Sequence, residues 1–139
     1  MYKYNSTVDT SALAKKIQRQ AQLGLEDVID DLVRTSSQSA PHDEGILEKS
    51  WTRTLVDGVG TVSYAVKKKG GKDKKFGNFN YALKMHEGGY NLGVKSEEKT
   101  GGTGMSGKTY PVGAGYLGGV AKGEEETYKK HIEKMVKNI

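Results

Sequence analysis

The chain has 139 residues, a net charge of +5 and no cysteine, which excludes disulfides and thiolate metal sites. No apolar run approaches the ~20 residues of a membrane-spanning helix, and the first residues lack the apolar segment of a signal peptide. Only 35% of the residues are hydrophobic and 19 are glycine, so we expect one soluble domain over residues 1–139 with a small core, made in a cytoplasm.

The first predicted element is a long helix over residues 9–37, because apolar residues recur at every third or fourth position. Asp9, Thr10 or Ser11 can cap its start. At ~1.5 Å per residue the helix would be roughly 40 Å long. That is more than a small core needs, so we expect one end or face to meet another subunit. The predicted apolar positions are Leu13, Ile17, Ala21, Leu25, Val28, Ile29, Leu32 and Val33.

A β-hairpin is predicted over residues 50–67, with a glycine-containing turn at 57–60. Val62 and Tyr64 alternate with polar residues, so one face of the hairpin should pack on the long helix. We expect Trp51 to complete that face from the first strand. The expected partners on the helix are Leu25, Val28 and Leu32.

A second hairpin is predicted over residues 90–112, with a long polar connection between its arms. Alternating residues define the two arms, which are Tyr90, Leu92 and Val94 on one side and Tyr110 and Val112 on the other. The polar segments 67–80 and 95–107 offer few apolar anchors. We therefore expect both segments to be mobile loops.

Two further helices are predicted. A short amphipathic helix over residues 81–88 is stopped by glycine, and the last helix covers residues 124–138. Glu124, Glu125 and Glu126 are interpreted as a solvated helix start, which suits the helix dipole. The predicted fold class is α+β: a long N-terminal helix and a C-terminal helix packed on a small, mostly antiparallel sheet with long polar loops.

Residues Gly102 to Thr109 match the phosphate-loop pattern G-x-x-x-x-G-K-[ST]. A nucleotide site of this kind needs a buried strand before the loop and a helix that begins at the lysine. The residues before the pattern are polar, and Lys108–Val112 is predicted to be a strand. Neither condition is met, so we expect no nucleotide site and no cofactor.

The three histidines, His42, His86 and His131, are far apart in sequence. His86 and Glu87 are adjacent, so on a helix their side chains point in different directions. We therefore predict neither a catalytic site nor a metal site. His86 is expected to be partly buried beside a hydrogen-bond partner.

The strongest charge feature is a lysine-rich segment over residues 67–75, which is followed by aromatic residues. Basic residues near aromatic ones are typical of nucleic-acid surfaces, whereas a mobile, solvated loop can serve to protect a sheet edge. We favour the solvated loop and keep DNA contact as the alternative. The candidate contact residues are Lys67, Lys68, Lys69, Lys72, Lys74 and Lys75.

Two short patterns and the order of the predicted elements resemble a known family. The first pattern, before the first hairpin, is Pro41-x-x-x-Gly45-x-Leu47-x-x-Ser50, and the second, after it, is Tyr81-Ala82-x-x-x-His86-Glu87-Gly88. This layout resembles the neck proteins of long-tailed bacteriophages, which are called tail-completion, head–tail connector or minor capsid proteins. The chain departs from the family pattern over residues 110–123.

The resemblance implies a structural virion protein, not an enzyme, that joins head and tail as a subunit of a neck or tail-completion ring. Its implied partners are other neck, portal-adaptor and tail proteins, further copies of itself, and DNA in the channel, but no membrane. It would reside in the host cytoplasm during assembly and then in the virion. Two alternatives stay open: a small basic nucleic-acid-binding protein that uses the 67–75 segment, and a nucleotide-binding enzyme that uses Lys108.

Overall fold

The structure, a computed structural model, describes residues 6–42, 47–65, 67–69, 78–88 and 92–139. The fold is α+β, as predicted. Within the described ranges, no helix is both long enough and apolar enough to cross a bilayer. The helices are α1 (Ser11–Ser39), α2 (Tyr81–Glu87), α3 (Val94–Glu97) and α4 (Gly118–Lys137), with a 3₁₀ turn at Leu47–Lys49. The strands are β1 (Trp51–Val56), β2 (Val59–Tyr64), β3 (Lys67–Lys69), β4 (Asn78–Asn80), β5 (Gly102–Thr103) and β6 (Thr109–Tyr110).

All described strand pairing is antiparallel, and it is divided among three two-stranded pairs: β1 with β2, β3 with β4, and β5 with β6. The first pair packs on α1, as predicted. The third pair also packs on α1, farther toward its C-terminal end. The long helix is therefore the element around which the rest of the fold is arranged.

Helix α1 begins close to the predicted position and ends two residues beyond it. At the start, the Asp9 side chain accepts the N–H of Ser11 at 2.9 Å. At the end, Ala40 is extended (φ −73°, ψ 140°), as a residue that precedes proline prefers. In the serine-rich last turns, Ser36 and Ser37 donate their hydroxyls to carbonyls one turn earlier.

Helices α1 and α4 pack side by side in antiparallel directions. Tyr128 donates its hydroxyl to Asp31 at 2.8 Å, and His131 contacts Asp27 at 2.9 Å. A Cβ built on Gly24 would lie 3.2 Å from the Cα of Ile132, so glycine permits the close approach here. Because α4 ends near the level of residue 20, residues 11–19 of α1 project beyond it, and all of them are exposed.

The first hairpin packs on α1 through β2, as predicted, although its details differ. Its turn is the two-residue pair Asp57–Gly58, both with positive φ (50° and 76°), which is the type I′ geometry that suits the strand twist. Gly60 lies directly against Ile29, where a Cβ would come within 2.6 Å of that side chain. One expected core residue was wrong, because Trp51 is 40% exposed at the open end of the hairpin. Leu25 and Leu32 on the helix and Val62 and Tyr64 on the hairpin are all partly buried.

The prediction of a second hairpin over residues 90–112 was wrong. Residues 94–97 form α3, and Thr109–Tyr110 pairs with Gly102–Thr103 rather than with an arm near residue 92. The reason is the glycine content of the intervening segment, which permits a tight turn in which Gly107 donates to the carbonyl of Gly104 at 2.9 Å. Tyr90 lies outside the described residues.

The segment 95–107 was expected to be a mobile loop, but it is packed against the body. Ser96 is 3% exposed, and its hydroxyl bonds both the N–H and the carbonyl of His42, at 2.7 and 3.2 Å. Gly102 donates its N–H to the Ser39 hydroxyl at 3.0 Å. Polar contacts to the end of α1 replace the apolar anchors whose absence motivated the expectation.

The short helix and the last helix were both predicted. Helix α2 ends at Glu87, and Gly88 follows with a φ of +86°, as a helix-closing glycine should. Helix α4 begins at Gly118, six residues before the predicted start. The glycines are tolerated there because the N–H groups of Gly118 and Gly119 bond to His86 and Gly115, respectively.

Candidate functional site

The two sequence patterns meet in a hydrophobic cluster. Leu47 from the first pattern and Ala82 from the second are 0% and 2% exposed, and they share this cluster with Ala40 and Tyr116. Tyr64 from β2 packs against its edge. The two patterns therefore mark the core that ties the end of α1 to α2 and to the segment before α4.

Tyr116 is the central side chain of this core. Its hydroxyl donates to the carbonyl of Ala82 at 2.8 Å. Its ring meets the rings of Tyr64 and His86 edge to face, with centroids 5.2 Å apart in each pair. Each such contact contributes roughly 0.5–1.5 kcal/mol beyond the burial of area, so Tyr116 holds three elements together.

His86 is partly buried beside a hydrogen-bond partner, as predicted. Its Nε2 accepts the N–H of Gly118 at 2.9 Å, and its carbonyl accepts the N–H of Gly115 at 2.8 Å. An accepting Nε2 requires a neutral imidazole. Glu87 is exposed, and the structure does not bring the two side chains together. The role of His86 is thus to seat the start of α4 on α2. Tyr81 begins α2.

The first pattern continues into a polar cluster at the C-terminal end of α1. Lys99 donates to the carbonyls of Ser37 and Ala40, at 3.3 and 2.6 Å, and forms an ion pair with Glu48 at 2.8 Å. Its ammonium caps a helix that has no basic residue in its own last turn, where positive charge is favourable. Partial burial would raise the pKa of Glu48, but the hydrogen bonds from Lys99 and His42 lower it below its usual value.

The remaining residues of the first pattern have structural roles where the structure describes them. Pro41 is buried and follows the end of α1. Ser50 closes the 3₁₀ turn, because its hydroxyl and its N–H both donate to the carbonyl of Leu47, at 2.8 and 3.0 Å. Gly45 lies outside the described residues.

The lysine-rich segment is only partly described. Lys67, Lys68 and Lys69 form β3, which pairs with Asn78–Asn80 immediately before α2. Lys68 and Lys69 were expected in a loop and Lys67 at the end of the first hairpin, but the pairing places all three in β3. Lys72, Lys74 and Lys75 lie outside the described residues.

The segment that matches the phosphate-loop pattern is the β5–β6 hairpin. Strand β6 follows Lys108 directly, as the sequence predicts, so no helix begins at that lysine. Several N–H groups of this segment already have acceptors within the protein: those of Gly104 and Gly107 donate to backbone carbonyls, and two others donate to carboxylates. Met105 donates to Asp31 at 3.0 Å, and Ser106 donates to Glu124 at 2.8 Å.

Glu124 is the most informative departure from the sequence analysis. It was interpreted as solvated, but it is fully buried. Its carboxylate accepts the N–H and the hydroxyl of Ser106, and also the hydroxyl of Tyr110 at 2.8 Å. Glu125 and Glu126, by contrast, are exposed and form ion pairs with Lys129. Glu124 therefore fastens the β5–β6 hairpin to α4.

The pKa of Glu124 is lowered, whereas the pKa values of the tyrosines in this network are raised. Burial would raise the pKa of Glu124, but the hydrogen bonds from Ser106 and Tyr110 outweigh it and hold the pKa below its usual value. Burial and the neighbouring Glu124 raise the pKa of Tyr110 to about 12. Burial and Asp31 likewise raise the pKa of Tyr128.

Two carboxylates of this network were missed, and their helical phase could have found them. Glu124 lies four residues after Val120 and four before Tyr128, in the middle of the apolar side of α4. Asp31 similarly follows Gly24 and Val28 at helical spacing. An acidic residue inside an apolar stripe signals a buried carboxylate with partners. No group of three or more metal-ligating side chains occurs among the residues that the structure describes.

A second candidate surface is the projecting end of α1. Leu13 and Ile17 are 51% and 38% exposed. They continue the line of α1 that packs on α4 farther along. Beside them is an open groove of about 640 Å³, to whose lining Leu25, Leu55 and Ile132 contribute. The protein thus presents apolar side chains at the end where α4 stops.

Comparison of the chain with protein-family models, with curated proteins and with solved structures finds no match.

Proposed function

We propose that this protein is a structural virion protein of a tailed bacteriophage, which joins head and tail as a neck or tail-completion ring subunit. The observation that carries the proposal is the projecting end of α1. Leu13 and Ile17 extend the core-facing stripe of the helix past the end of the fold. Exposure of such an apolar stripe to water is modestly unfavourable. A neighbouring subunit that packs on it would remove this cost.

The core around Tyr116 supports a mechanical role. It connects β2, α2 and the start of α4 through two ring contacts and a hydrogen bond. Apart from the exposed Glu87, the motif residues whose side chains the structure describes take part in packing, turns and caps, with no nucleophile and base placed together among them. In this proposal the protein catalyses nothing, and its partners are other neck, portal-adaptor and tail proteins and further copies of itself. It acts in the virion after assembly in the host cytoplasm.

The direct genetic test is deletion of the gene from the phage that carries it. Infected cells should then contain heads and tails that are both complete but unjoined, or heads that have lost DNA, when examined by electron microscopy. Normal, infectious, fully joined particles in the deletion strain would contradict the proposal.

A complementation series tests whether the projecting helix is the part that matters. Leu13→Glu/Ile17→Glu should fold normally, because both side chains are exposed, yet it should fail to restore joined particles. Val8→Glu is the matched control, since Val8 is 82% exposed and precedes the helix. The control should complement fully. Equal complementation by both variants would show that the stripe plays no part.

The alternative function is binding of nucleic acid through the lysine-rich segment. It is favoured by the net charge of +5 and by six lysines within residues 67–75. Within a neck ring the same segment could contact DNA in the channel. Binding to random-sequence DNA should then weaken steeply as salt is raised. Replacement of Lys67, Lys68 and Lys69 by Gln should flatten that salt dependence. If the same variant still joins heads to tails, DNA contact by these lysines is not needed for assembly.

A further inference from the structure

The outward face of α1 carries charges in an unusual order. Residues 11–25 contain three basic residues and no acidic one, whereas residues 26–30 contain three acidic residues. The helix macrodipole favours the opposite order, with acids near the N-terminus. Like charges also stand four residues apart, at Lys15 and Arg19 and at Glu26 and Asp30, an arrangement that destabilises an isolated helix.

The positions on this face are symmetric about one exposed apolar residue. Lys16, Arg19, Leu23, Asp27 and Asp30 are separated by 3, 4, 4 and 3 residues. That spacing keeps all five on one side of the helix. Leu23 is 40% exposed and the other four are exposed as well. An axis of twofold symmetry through Leu23 would exchange the basic half of the face with the acidic half.

We propose that this face binds the same face of a second copy of the chain, with the two α1 helices antiparallel and crossing at Leu23. Lys16 of each copy then lies opposite Asp30 of the other, and Arg19 opposite Asp27. The contact is isologous, so each ion pair occurs twice and Leu23 meets its own symmetry mate. A helix pair of this kind resembles a coiled-coil seam whose flanking charges set the orientation.

The two acidic side chains are positioned for such a contact. His131 contacts one oxygen of Asp27 at 2.9 Å, and Arg53 contacts one oxygen of Asp30. Both carboxylate side chains nevertheless remain 53% and 63% exposed. Because these neighbours already restrict the rotamers, less conformational entropy is lost when a partner binds. This contact does not depend on the neck function proposed above, and each proposal can be tested without the other.

Charge reversal provides the sharpest test. We compare Lys16→Glu/Arg19→Glu with Asp27→Lys/Asp30→Lys, each checked for folding by circular dichroism. Each variant repels itself, so its dimer dissociation constant should rise by at least about tenfold. Mixed together, the two variants should form a heterodimer, because every facing pair is again of opposite charge. The matched control, Lys130→Glu/Lys137→Glu, reverses two exposed lysines on the side of α4 that faces away from α1 and should dimerise like the wild type.

The readout is sedimentation velocity over a range of concentrations up to about 0.5 mM. The wild type should shift from 15.1 kDa toward twice that mass, and the shift should weaken at about 1 M salt, where the Debye length is only ~3 Å. A wild-type monomer at every concentration, or a mixture of reversed variants that stays monomeric although both are folded, would overturn the proposal.

A cysteine variant keeps the test valid if a reversed variant fails to fold. The chain has no cysteine, so Leu23→Cys introduces a single thiol at the proposed axis. It should form a covalent dimer under mild oxidation, whereas Ser63→Cys, on the exposed face of β2, should not. Equal crosslinking of both variants would contradict the antiparallel contact.

Discussion

Replacement of Glu124 by Ala should destabilise the protein by about 2–4 kcal/mol. The buried carboxylate accepts three hydrogen bonds, from the N–H and hydroxyl of Ser106 and from Tyr110. Hydrogen bonds to charged groups contribute ~1.5–3 kcal/mol each. The sum is not lost in full, because Ser106 is exposed and its two donors can turn to water. The partly buried Tyr110 hydroxyl and the space left beside Gly104 account for most of the cost.

The assay is urea denaturation at neutral pH, with the free energy of unfolding taken by linear extrapolation. Glu125→Ala is the matched control, since Glu125 is the next residue of the same helix and its side chain is 58% exposed. Its effect should stay within about 0.5 kcal/mol. If the two variants have equal stability, Glu124 does not fasten the hairpin to α4 and the buried network has been misread.

The pH dependence of the same residue follows from its pKa. The pKa of Glu124 in the folded protein is below its ordinary value of 4.5, so the folded state favours the charged form. Its contribution is therefore present above that ordinary value and is lost as the pH falls through the folded value. Glu124→Gln should remove this part of the acid sensitivity, which a comparison of unfolding free energies at pH 7 and in acid will show.

The remaining predictions concern other parts of the fold. Gly102→Ala should be strongly destabilising, because its Cβ would lie 2.2 Å from the Thr35 carbonyl oxygen, whereas Gly119→Ala has open space and should stabilise α4 by ~0.4–1 kcal/mol; thermal melts compare the two. Lys108→Ala should leave stability within about 0.5 kcal/mol, and calorimetry with ATP and Mg²⁺ should give no binding heat for the wild type. The pKa of Tyr110 is raised to about 12 in the folded protein, so the unfolded state loses this proton at lower pH and the wild type should become less stable above pH 10. Tyr110→Phe should reduce that loss.

Periodic patterns predicted the elements whose partners lie nearby in sequence. The apolar spacing gave α1 to within two residues, and the alternation of Val62 and Tyr64 gave the packed face of the first hairpin. The glycine stop of α2 also follows from local backbone preferences. These features depend on the chain within about one turn or one strand, which is the range over which a sequence pattern acts.

The sequence patterns did not predict the long-range polar contacts. Helix α1 continues through Ser39 because that hydroxyl accepts the N–H of Gly102, a residue that is distant in the chain. Nothing in the local sequence indicates that Lys99 has three acceptors around the end of α1. Segment 95–107 was therefore expected to be mobile, since apolar content alone says nothing about such contacts.

The candidate site was predicted in part. His86 has the predicted hydrogen-bond partner, whereas the meeting of the two sequence patterns, in which Leu47 and Ala82 share one core with Tyr116, was not predicted. Glu124 was wrongly interpreted as solvated because it is charged and begins a run of three glutamates, and no partner was predicted for Asp31. The positions of Asp31 and Glu124 on the apolar sides of their helices, rather than their charge, indicate that both face the core.

The position of this protein in the virion tests the central proposal most directly. Purified particles of the phage that carries the gene can be labelled with gold-conjugated antibodies against the protein and examined by electron microscopy. The neck assignment predicts gold at the junction of head and tail, on particles opened mildly enough to expose that ring. Particles of the same preparation that contain no copy of the protein, or that carry the label only elsewhere on the virion, would contradict it.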